Sequence, residues 1–468
     1  MRRSTEVGSP EDILRRAASA PDHSNFPTVD ELVAGFDALE AAHPGLITSQ
    51  RIGTSRLGEP IRMYSIGADA TDGISTLSHL VVGGVHPNEP IGAWTATHLL
   101  QQLAEDAGLR EGLGARWHII PCIDPDGARL NEAWFKRPGE RSHYARNFYR
   151  PAPDEQVEWT FPFAYKRAYF DRVLPETQAL MRAIDSTRPD LYVALHNGEM
   201  GGVYYYLTRE EPGLYEMLHR IPAHLGVPLD KGEPESAHLE PVAPAIFVTG
   251  PLEEVYDWLE SLGVDPFPPG SGGDASSSYA RRYGTLSLIA ELPYWKHRDA
   301  DDTSPVDESY ASLLARTGAV LRDAGHQLAE VLEQASPELT LDTPMLRASR
   351  AFVPMVAATG LTNIARGEQP ETARPATAAE RAGCLETVHM YRLRYGGMLL
   401  RALSAECAAG TATHTLRRLV DELEMLYSEW LADAAVDDAD AEVIPVSTLV
   451  GVQYGAILAA AAHLAAGV

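Results

Sequence analysis

Strand-like and helix-like segments alternate through the part of this chain that precedes residue 304. Short apolar runs such as LSHLVVGGV, WHIIPCI, LYVAL and TLSLIAE have the composition of strands. Helical patterns separate several of them, at residues 91–107, 165–185 and 213–225. Because parallel strands are usually joined by crossover helices, the alternation predicts an α/β fold. We expect a mixed, largely parallel sheet with helices on both faces.

The chain changes character after residue 304. Beyond it we find no strand pattern and about five helical patterns, which begin near residues 305, 344, 377, 414 and 446. We therefore predict an α/β domain at residues 1–303 and an all-α bundle at residues 304–468. The last helix is rich in Ala and Gly and carries Gln453 and His463, which favours a buried or interface helix over a membrane span. Such a helix could build a homodimer.

The charge and the cysteines of the chain limit its partners and its compartment. With a formal net charge of -26, the protein is not expected to bind nucleic acid or anionic membrane surfaces. Its three cysteines are widely spaced and odd in number, which fits reduced thiols. The N-terminal arginines are not followed by an apolar run of secretory length. We predict a cytoplasmic protein.

Metal-ligating side chains follow two of the predicted strands. His86 and Glu89 lie in GGVHPNEPIGAW, directly after LSHLVV, and His196 ends the run LYVALH. Ligands of open α/β sheets bind at the carboxyl ends of strands. Two histidines and one glutamate leave a tetrahedral zinc ion one open position, as in catalytic sites. Taken singly, each residue is better explained as an ordinary polar group at a strand end than as a metal ligand.

A further carboxylate, Glu291, ends the run TLSLIAE. A carboxylate beside a catalytic metal can act as general base and accept a proton during attack on the substrate. The alternative is a partly buried, paired glutamate with a structural role.

The order of these elements resembles that of the zinc metallocarboxypeptidase family. The chain has His-x-x-Glu after an early strand, PDG after the next, RNF soon afterwards, a histidine ending a later strand, and glutamate within AELPYW. The resemblance extends from about residue 26 to about residue 298. It implies one zinc ion per chain, bound by His86, Glu89 and His196, with Glu291 as general base.

The same resemblance implies how a substrate is held. ARNFYR looks like the segment that binds the terminal carboxylate of a peptide, which maps Arg146 onto the binding arginine, while Ala145 replaces an asparagine. The arginine that polarises the scissile carbonyl falls near Phe135, beside Lys136 and Arg137. Candidates for the mobile tyrosine of the family are Tyr256, Tyr279 and Tyr283.

Basic residues are concentrated between residues 129 and 150. Two acidic residues lie in this segment, Glu132 and Glu140, so its balance is 6 − 2 = +4, and the six basic residues are Arg129, Lys136, Arg137, Arg141, Arg146 and Arg150. Arginine pairs bidentately with carboxylates, so the segment could form an anion-binding rim. The alternative is a solvated basic loop.

Three functions fit these observations. The first is a zinc hydrolase of an amide bond next to a free carboxylate, on a peptide or a peptide-like substrate. The second is a zinc deacylase of N-acyl amino acids, similar to the aspartoacylase and succinylglutamate desuccinylase group. The third is an inactive scaffold whose helical region binds a partner. The presence of all three predicted ligands and of the predicted base favours an enzyme.

Overall fold

The computed structural model describes residues 7–67, 77–232, 239, 241–261, 263–268, 270–437, 439 and 441–467. Its strands are β1 (Ile47–Thr54), β2 (Pro60–Ile66), β3 (Leu77–Val82), β4 (Ala115–Ile120), β5 (Phe163–Tyr165), β6 (Ala168–Phe170), β7 (Leu191–Leu195), β8 (Met200–Gly201), β9 (Tyr204–Leu207), β10 (Pro241–Ala243), β11 (Ile246–Val248), β12 (Leu286–Glu291), β13 (Trp295–Lys296), β14 (Pro305–Ser309), β15 (Pro375–Thr377) and β16 (Glu442–Val443). Its α-helices are α1 (Pro10–Ala17), α2 (Val29–Ala42), α3 (Ile91–Glu105), α4 (Ala107–Gly112), α5 (Pro125–Arg129), α6 (Glu132–Phe135), α7 (Arg141–Asn147), α8 (Pro175–Thr187), α9 (Pro212–Leu225), α10 (Leu252–Ser261), α11 (Ser276–Ala280), α12 (Tyr310–Ala335), α13 (Pro344–Gly367), α14 (Ala378–Ala409), α15 (His414–Asp437) and α16 (Val446–Ala466).

A nine-stranded mixed sheet organises the first part of the chain. Its strand order is β1-β2-β4-β3-β7-β12-β9-β11-β10. The four strands β4, β3, β7 and β12 run parallel to one another, whereas the pairings of β1 with β2, β2 with β4 and β12 with β9 are antiparallel. The predicted α/β fold with a mixed sheet is confirmed. Its parallel strands form the centre, and antiparallel strands lie on either side.

Apolar side chains cover both faces of this sheet. On one face, Leu180 and Ile184 of α8 belong to a buried cluster with Leu80 and Val82 of β3. On the other face, β3 and β7 contribute to the main core, which also includes α2, α3 and α9. Helices on both faces bury every residue of the central strand β7, as expected of parallel sheets.

Local sequence signals place several elements correctly and one incorrectly. The capping boxes that begin α2 at Thr28 and α14 at Thr377 are both formed. The helix predicted at residues 165–185 is wrong in its first half, because residues 163–170 form the hairpin of β5 and β6. Phe163 and Phe170 of this hairpin pack into a small cluster with Tyr256. Tertiary packing of aromatic residues thus overrides the helical pattern.

Five long helices follow residue 304, beginning at Tyr310, Pro344, Ala378, His414 and Val446. The prediction that this part lacks strands is wrong. β14 pairs with β15, and β16 pairs with β13, which in turn pairs with β8. These strands have two to five residues, too few to show an alternating pattern in the sequence.

The last helix, α16, is part of the main core. It packs on α1, α3 and α9 and reaches the strands β7 and β12. Among the described residues it is the one helix long and apolar enough to span a membrane, with a hydropathy of 1.6, but 72% of its apolar window is buried inside the protein. A Cβ added at Gly451 would lie 2.3 Å from the carbonyl oxygen of Ala17, so glycine permits this close packing. The predicted buried helix is confirmed.

The core is continuous across residue 304, because one cluster of buried residues includes both sheet strands and the helices α12 to α16. The apolar surface of α16 is therefore covered within a single chain, and a dimer is not required to shield it. The homodimer and the division at residues 303 and 304 stay predictions.

Candidate metal and catalytic site

The loop that follows β3 carries the first two candidate ligands. Gly83 and Gly84 begin the loop, and a Cβ added at Gly83 would lie 2.4 Å from the carbonyl oxygen of Pro121. The chain can therefore cross close to the segment that leaves β4. His86 and Glu89 follow, with exposed fractions of 2% and 3%. Both side chains are thus held in the interior at the carboxyl end of β3.

The third candidate ligand, His196, follows the neighbouring parallel strand. Val82 of β3 lies opposite Ala194 of β7, so the two strands end at the same level and their loops leave the sheet side by side. His86, Glu89 and His196 each offer one ligand atom, and these atoms lie within 4.8 Å of one another. The predicted ligands are brought together by adjacent strand ends.

The chemistry of this cluster fits a zinc ion. Burial holds the pKa of His86 well below its usual range, and its buried Nδ1 has no hydrogen-bond partner, so a neutral imidazole is available as a ligand. Burial alone would lower the pKa of His196, but Glu89 and Glu291 raise it to about 9. The environment of this cluster therefore favours a positive charge, which a divalent cation would supply.

Glu291 lies beside the cluster because β12 is the other parallel neighbour of β7. Ala290 pairs with Leu195, so the next residue of each strand reaches the same edge. One carboxylate oxygen of Glu291 lies 3.5 Å from Nδ1 of His196, and Glu89 lies 3.2 Å from the same nitrogen. Three parallel strands thus place the four residues at the same edge of the sheet.

Neighbouring groups fix both oxygens of Glu89. Arg150 donates from Nη1 to Oε1 at 2.9 Å, and the backbone N–H of Asn197 donates to Oε2 at 3.2 Å. The side chain of Asn197 also accepts from the N–H of Ile91, at the start of α3. Asn197 therefore connects the loop after β7 to the loop after β3, and Glu89 is held as an ionised carboxylate.

The irregular loop between α7 and β5 supplies residues that the sequence did not reveal. Arg150 donates from Nε to Gln156 at 3.0 Å, and its guanidinium lies 5.2 Å from the ring centre of Trp159. Trp159 in turn contacts His86 edge to face at 5.1 Å. Arg150 belongs to the basic segment of the sequence, whereas Gln156 lies between two short 3-10 turns and Trp159 ends the second. These turns carry no periodic pattern.

A second buried acid, Glu158, lies in the same loop. Burial raises its pKa to about 6, and Ser276 donates a hydrogen bond to it at 2.6 Å. Ser276 also accepts from the hydroxyl of Tyr192 on β7. The loop is therefore attached to the sheet through a buried polar chain, which keeps Trp159 in place beside His86.

Comparison with known proteins identifies this region. Residues 32–231 match the family model described as zinc carboxypeptidase. Within residues 32–231 the chain is therefore similar to zinc carboxypeptidases. The matched residues include His86, Glu89 and His196 and end before Glu291, which only the fold brings to the site.

Solved carboxypeptidases are similar to part of the chain at low sequence identity. A metallo-carboxypeptidase from Burkholderia cenocepacia is 16% identical, with 57% of this chain and 60% of that chain covered and a TM-score of 0.34. Carboxypeptidase A from Helicoverpa armigera is 14% identical, with 76% and 79% covered and a TM-score of 0.39. The chain thus spans 60% of the length of the first. No curated protein matches the sequence.

The basic residues that the family resemblance assigned to substrate binding form ion pairs with other parts of the protein. Lys136 pairs with a glutamate of α2 at 2.7 Å, and Arg137 pairs with Glu140 at 3.1 Å. Arg146 pairs with Glu424 of α15 at 2.8 Å and lies over the ring of Tyr427. These contacts do not join the three cations to the metal cluster, and their role in substrate binding stays a prediction.

The local excess of positive charge is balanced by acids from other segments. Arg129 pairs with Asp30 and Glu59, and Arg141 pairs with Glu199 and Glu386. Together with the pairs of Lys136, Arg137, Arg146 and Arg150, each of the six cations has a carboxylate partner. Sequence counting within residues 129–150 could not include partners so distant along the chain.

The three tyrosines considered for the mobile position have other partners. Tyr279 and Tyr283 both donate to Asp185 of α8, at 3.0 and 2.9 Å. The hydroxyl of Tyr256 accepts from Arg167 at 3.2 Å. These hydrogen bonds do not join the three tyrosines to the cluster of His86, Glu89 and His196.

Proposed function

We propose that this protein is a zinc-dependent peptidase that cleaves the amide bond next to a free carboxylate, on a peptide or a peptide-like substrate. The observation that supports this proposal is the cluster of His86, Glu89 and His196, whose ligand atoms lie within 4.8 Å of one another, beside Glu291. We propose one zinc ion per chain at this cluster. The family match does not favour the deacylase alternative.

The residues of the chain divide the chemistry between them. Zinc in such a site supplies Lewis-acid polarisation of a carbonyl and lowers the pKa of bound water to about 7. Glu291, next to the ligands, accepts the proton that water loses when it attacks the scissile carbonyl. It then returns this proton to the leaving amine. Arg150 orients Glu89 and limits its rotation. The aromatic side chain of Trp159 restricts water around His86.

We propose Arg150 as the cation that faces the reacting carbonyl. Its guanidinium already contacts Glu89, whereas Lys136 and Arg137 pair with glutamates at exposed positions. A guanidinium at this place can donate to an oxygen that gains negative charge in the transition state. Arg146 is proposed to bind the terminal carboxylate of the substrate, after its separation from Glu424.

The test is a substrate survey with the zinc-loaded protein. The protein is incubated with a mixed library of short peptides, the same peptides with amidated C termini, and N-acetyl and N-succinyl amino acids, and the products are identified by mass spectrometry. We expect release of single C-terminal residues from the free-acid peptides. Cleavage of the acyl amino acids alone would establish the deacylase, and equal cleavage of amidated peptides would indicate an endo-acting amidase.

The matched control is the Glu291→Gln variant, which separates the proposed site from contaminating peptidases. Loss of the products with this variant assigns them to the cluster. Unchanged products would show that the activity belongs to another protein or another site.

A further inference from the structure

A side chain of the last helix contacts the backbone of the candidate ligand His196. Gln453 of α16 has an exposed fraction of 1% and donates from Nε2 to the carbonyl oxygen of His196 at 2.8 Å. Its Oε1 accepts from the hydroxyl of Thr95 at 2.7 Å. Thr95 belongs to α3, the helix that begins two residues after Glu89. One amide thus bridges the two segments that carry the ligand cluster.

Both ends of this amide are used, so its orientation is defined by its partners. The carbonyl of His196 needs a donor, and the hydroxyl of Thr95 needs an acceptor. A rotated amide would bring its oxygen against the carbonyl of His196 and leave buried polar groups unpaired, which is strongly unfavourable. Gln453 therefore fixes the peptide plane that follows His196.

A second side chain of the C-terminal helices holds the same loop three residues further on. Glu199 has a side chain only 1% exposed, and it accepts from Arg394 of α14 at 2.7 Å. The backbone carbonyl of Glu199 accepts from the N–H groups of Tyr294 and Trp295 at 2.9 and 3.2 Å. The segment from His196 to Glu199 is therefore anchored at both ends, and a residue from beyond position 304 takes part at each end.

These contacts influence the orientation of the His196 imidazole. The torsion angles at His196 determine where its imidazole points, and Nδ1 lies 3.2 Å from Glu89 and 3.5 Å from Glu291. Without the hydrogen bond from Gln453, the peptide after His196 keeps, among the described residues, only the bond from its N–H to Glu89 at 3.2 Å, and a rotation about that bond could carry the ring away from the other two ligands. Displacements of about 1 Å are enough to impair such sites.

We infer that Gln453, supported by the Arg394 and Glu199 pair, is a positioning residue through which the C-terminal helices hold His196 in its ligating orientation. The inference rests on the proposed function, because His196 is taken as a zinc ligand. It gives the helical region a direct role in the metal site. Partners of metal ligands typically change metal affinity ten- to a hundredfold when they are removed.

The test compares zinc affinity in full-length variants. Gln453→Met keeps the length of the side chain and removes both hydrogen bonds. We expect its zinc dissociation constant, measured by competition with a chelator, to rise ten- to a hundredfold. We also expect the visible absorption spectrum of its cobalt-substituted form to change, because that spectrum reports ligand geometry.

The matched control is Thr317→Val, which removes a buried hydrogen bond from Thr317 to Leu313 within α12. This variant should lose thermal stability but keep the zinc affinity and cobalt spectrum of the unmodified protein. Unchanged zinc affinity in Gln453→Met would overturn the inference. If Gln453→Met does not fold, the zinc affinity of Thr95→Val tests the inference instead. This variant keeps the amide of Gln453 but removes the hydroxyl of Thr95 that orients it. A severalfold weaker affinity supports the inference, and an unchanged affinity overturns it.

The unmodified protein distinguishes this inference from the proposed function. If it binds no zinc, or if His196→Ala retains full affinity, the proposed site itself is wrong. If zinc binding depends on His196 but not on Gln453 or Thr95, only the positioning role is wrong.

Discussion

The guanidinium of Arg146 on α7 donates two hydrogen bonds to the carboxylate of Glu424 on α15, at 2.8 and 3.2 Å. The two side chains are 39% and 44% exposed, so water competes with the pair and its net stabilisation is small. A carboxylate from the C-terminal region therefore already occupies the arginine that is proposed to bind the carboxylate of a substrate.

We expect Glu424→Gln to increase kcat/KM for free-acid peptides by roughly two- to fivefold, mainly through a lower KM. The reason is that an exposed ion pair of this kind is worth about 0.2–1 kcal/mol, which a substrate would no longer have to displace. The control is Glu422→Gln, which removes the exposed pair with Arg418 on the same helix. If both variants raise kcat/KM equally, Glu424 does not compete with the substrate for Arg146.

Arg146→Ala should lower kcat/KM for free-acid peptides by about ten- to a hundredfold. Charge-assisted hydrogen bonds are worth roughly 1.5–3 kcal/mol, and about 1.4 kcal/mol corresponds to a factor of ten. Arg146→Lys should restore part of the loss, because a point charge cannot reproduce the guanidinium fork. Kinetics on matched free-acid and amidated peptides provide the measurement. If Arg146→Ala lowers kcat/KM for the amidated peptides by the same factor, Arg146 does not bind the terminal carboxylate.

Glu291→Gln should lower kcat by roughly 10²- to 10⁴-fold, the usual contribution of a general base. The amide has nearly the same shape but cannot accept the proton. Zinc content, measured by elemental analysis, should remain at the level of the unmodified protein. Normal turnover in this variant would place the base on another residue.

His196→Ala should remove most of the bound zinc, because two ligands hold the ion much less tightly than three. Elemental analysis of the unmodified protein should give one zinc per chain. The control is His463→Ala, since His463 pairs with Glu211 away from the cluster. Full zinc occupancy in His196→Ala would remove this histidine from the ligand set.

Glu406 predicts a pH-dependent contribution to stability. Burial raises its pKa, but hydrogen bonds from Thr411, Leu341 and Thr340 outweigh this effect and lower it to about 2. The ordinary value in an unfolded chain is about 4.3. The ionised form therefore stabilises the fold above about pH 4.3. This stabilisation is lost as the pH falls toward 2.

Glu406→Gln should accordingly lower the free energy of unfolding by roughly 1–3 kcal/mol at pH 7, and by less at pH 3. Urea titrations at the two pH values measure the difference. Glu429→Gln at an exposed position of α15 should change neither value. A loss in Glu406→Gln that is the same at both pH values would show that its charge is not the cause.

The sequence predicts the sheet well because its central strands are buried on both faces. LYVAL is a continuous apolar run and TLSLIAE is a largely apolar one, and both become central strands. The ligands could be predicted for a related reason, since His86, Glu89 and His196 directly follow such runs. Their convergence depends only on the parallel register of β3 and β7.

The surroundings of the site could not be predicted from the sequence. Arg150 contacts Glu89 from an irregular loop, and Gln453 reaches His196 from a helix 257 residues away along the chain. Neither contact is associated with a periodic pattern or a short motif. Arg146 belongs to the basic segment of the sequence, but the sequence does not reveal its ion-pair partner Glu424, which lies 278 residues away. Long-range pairing of polar groups decides these positions.

The burial of α16 has a consequence for how the protein is made. A ribosome synthesises β7 and the His196 loop long before it reaches Val446, the first residue of α16. During that interval the parts of β7 and β12 that α16 covers lack this helix, and the carbonyl of His196 lacks the donor that Gln453 later provides. If Gln453 positions His196, the proposed metal site is completed only late in translation, after all the segments that carry its ligands have been synthesised.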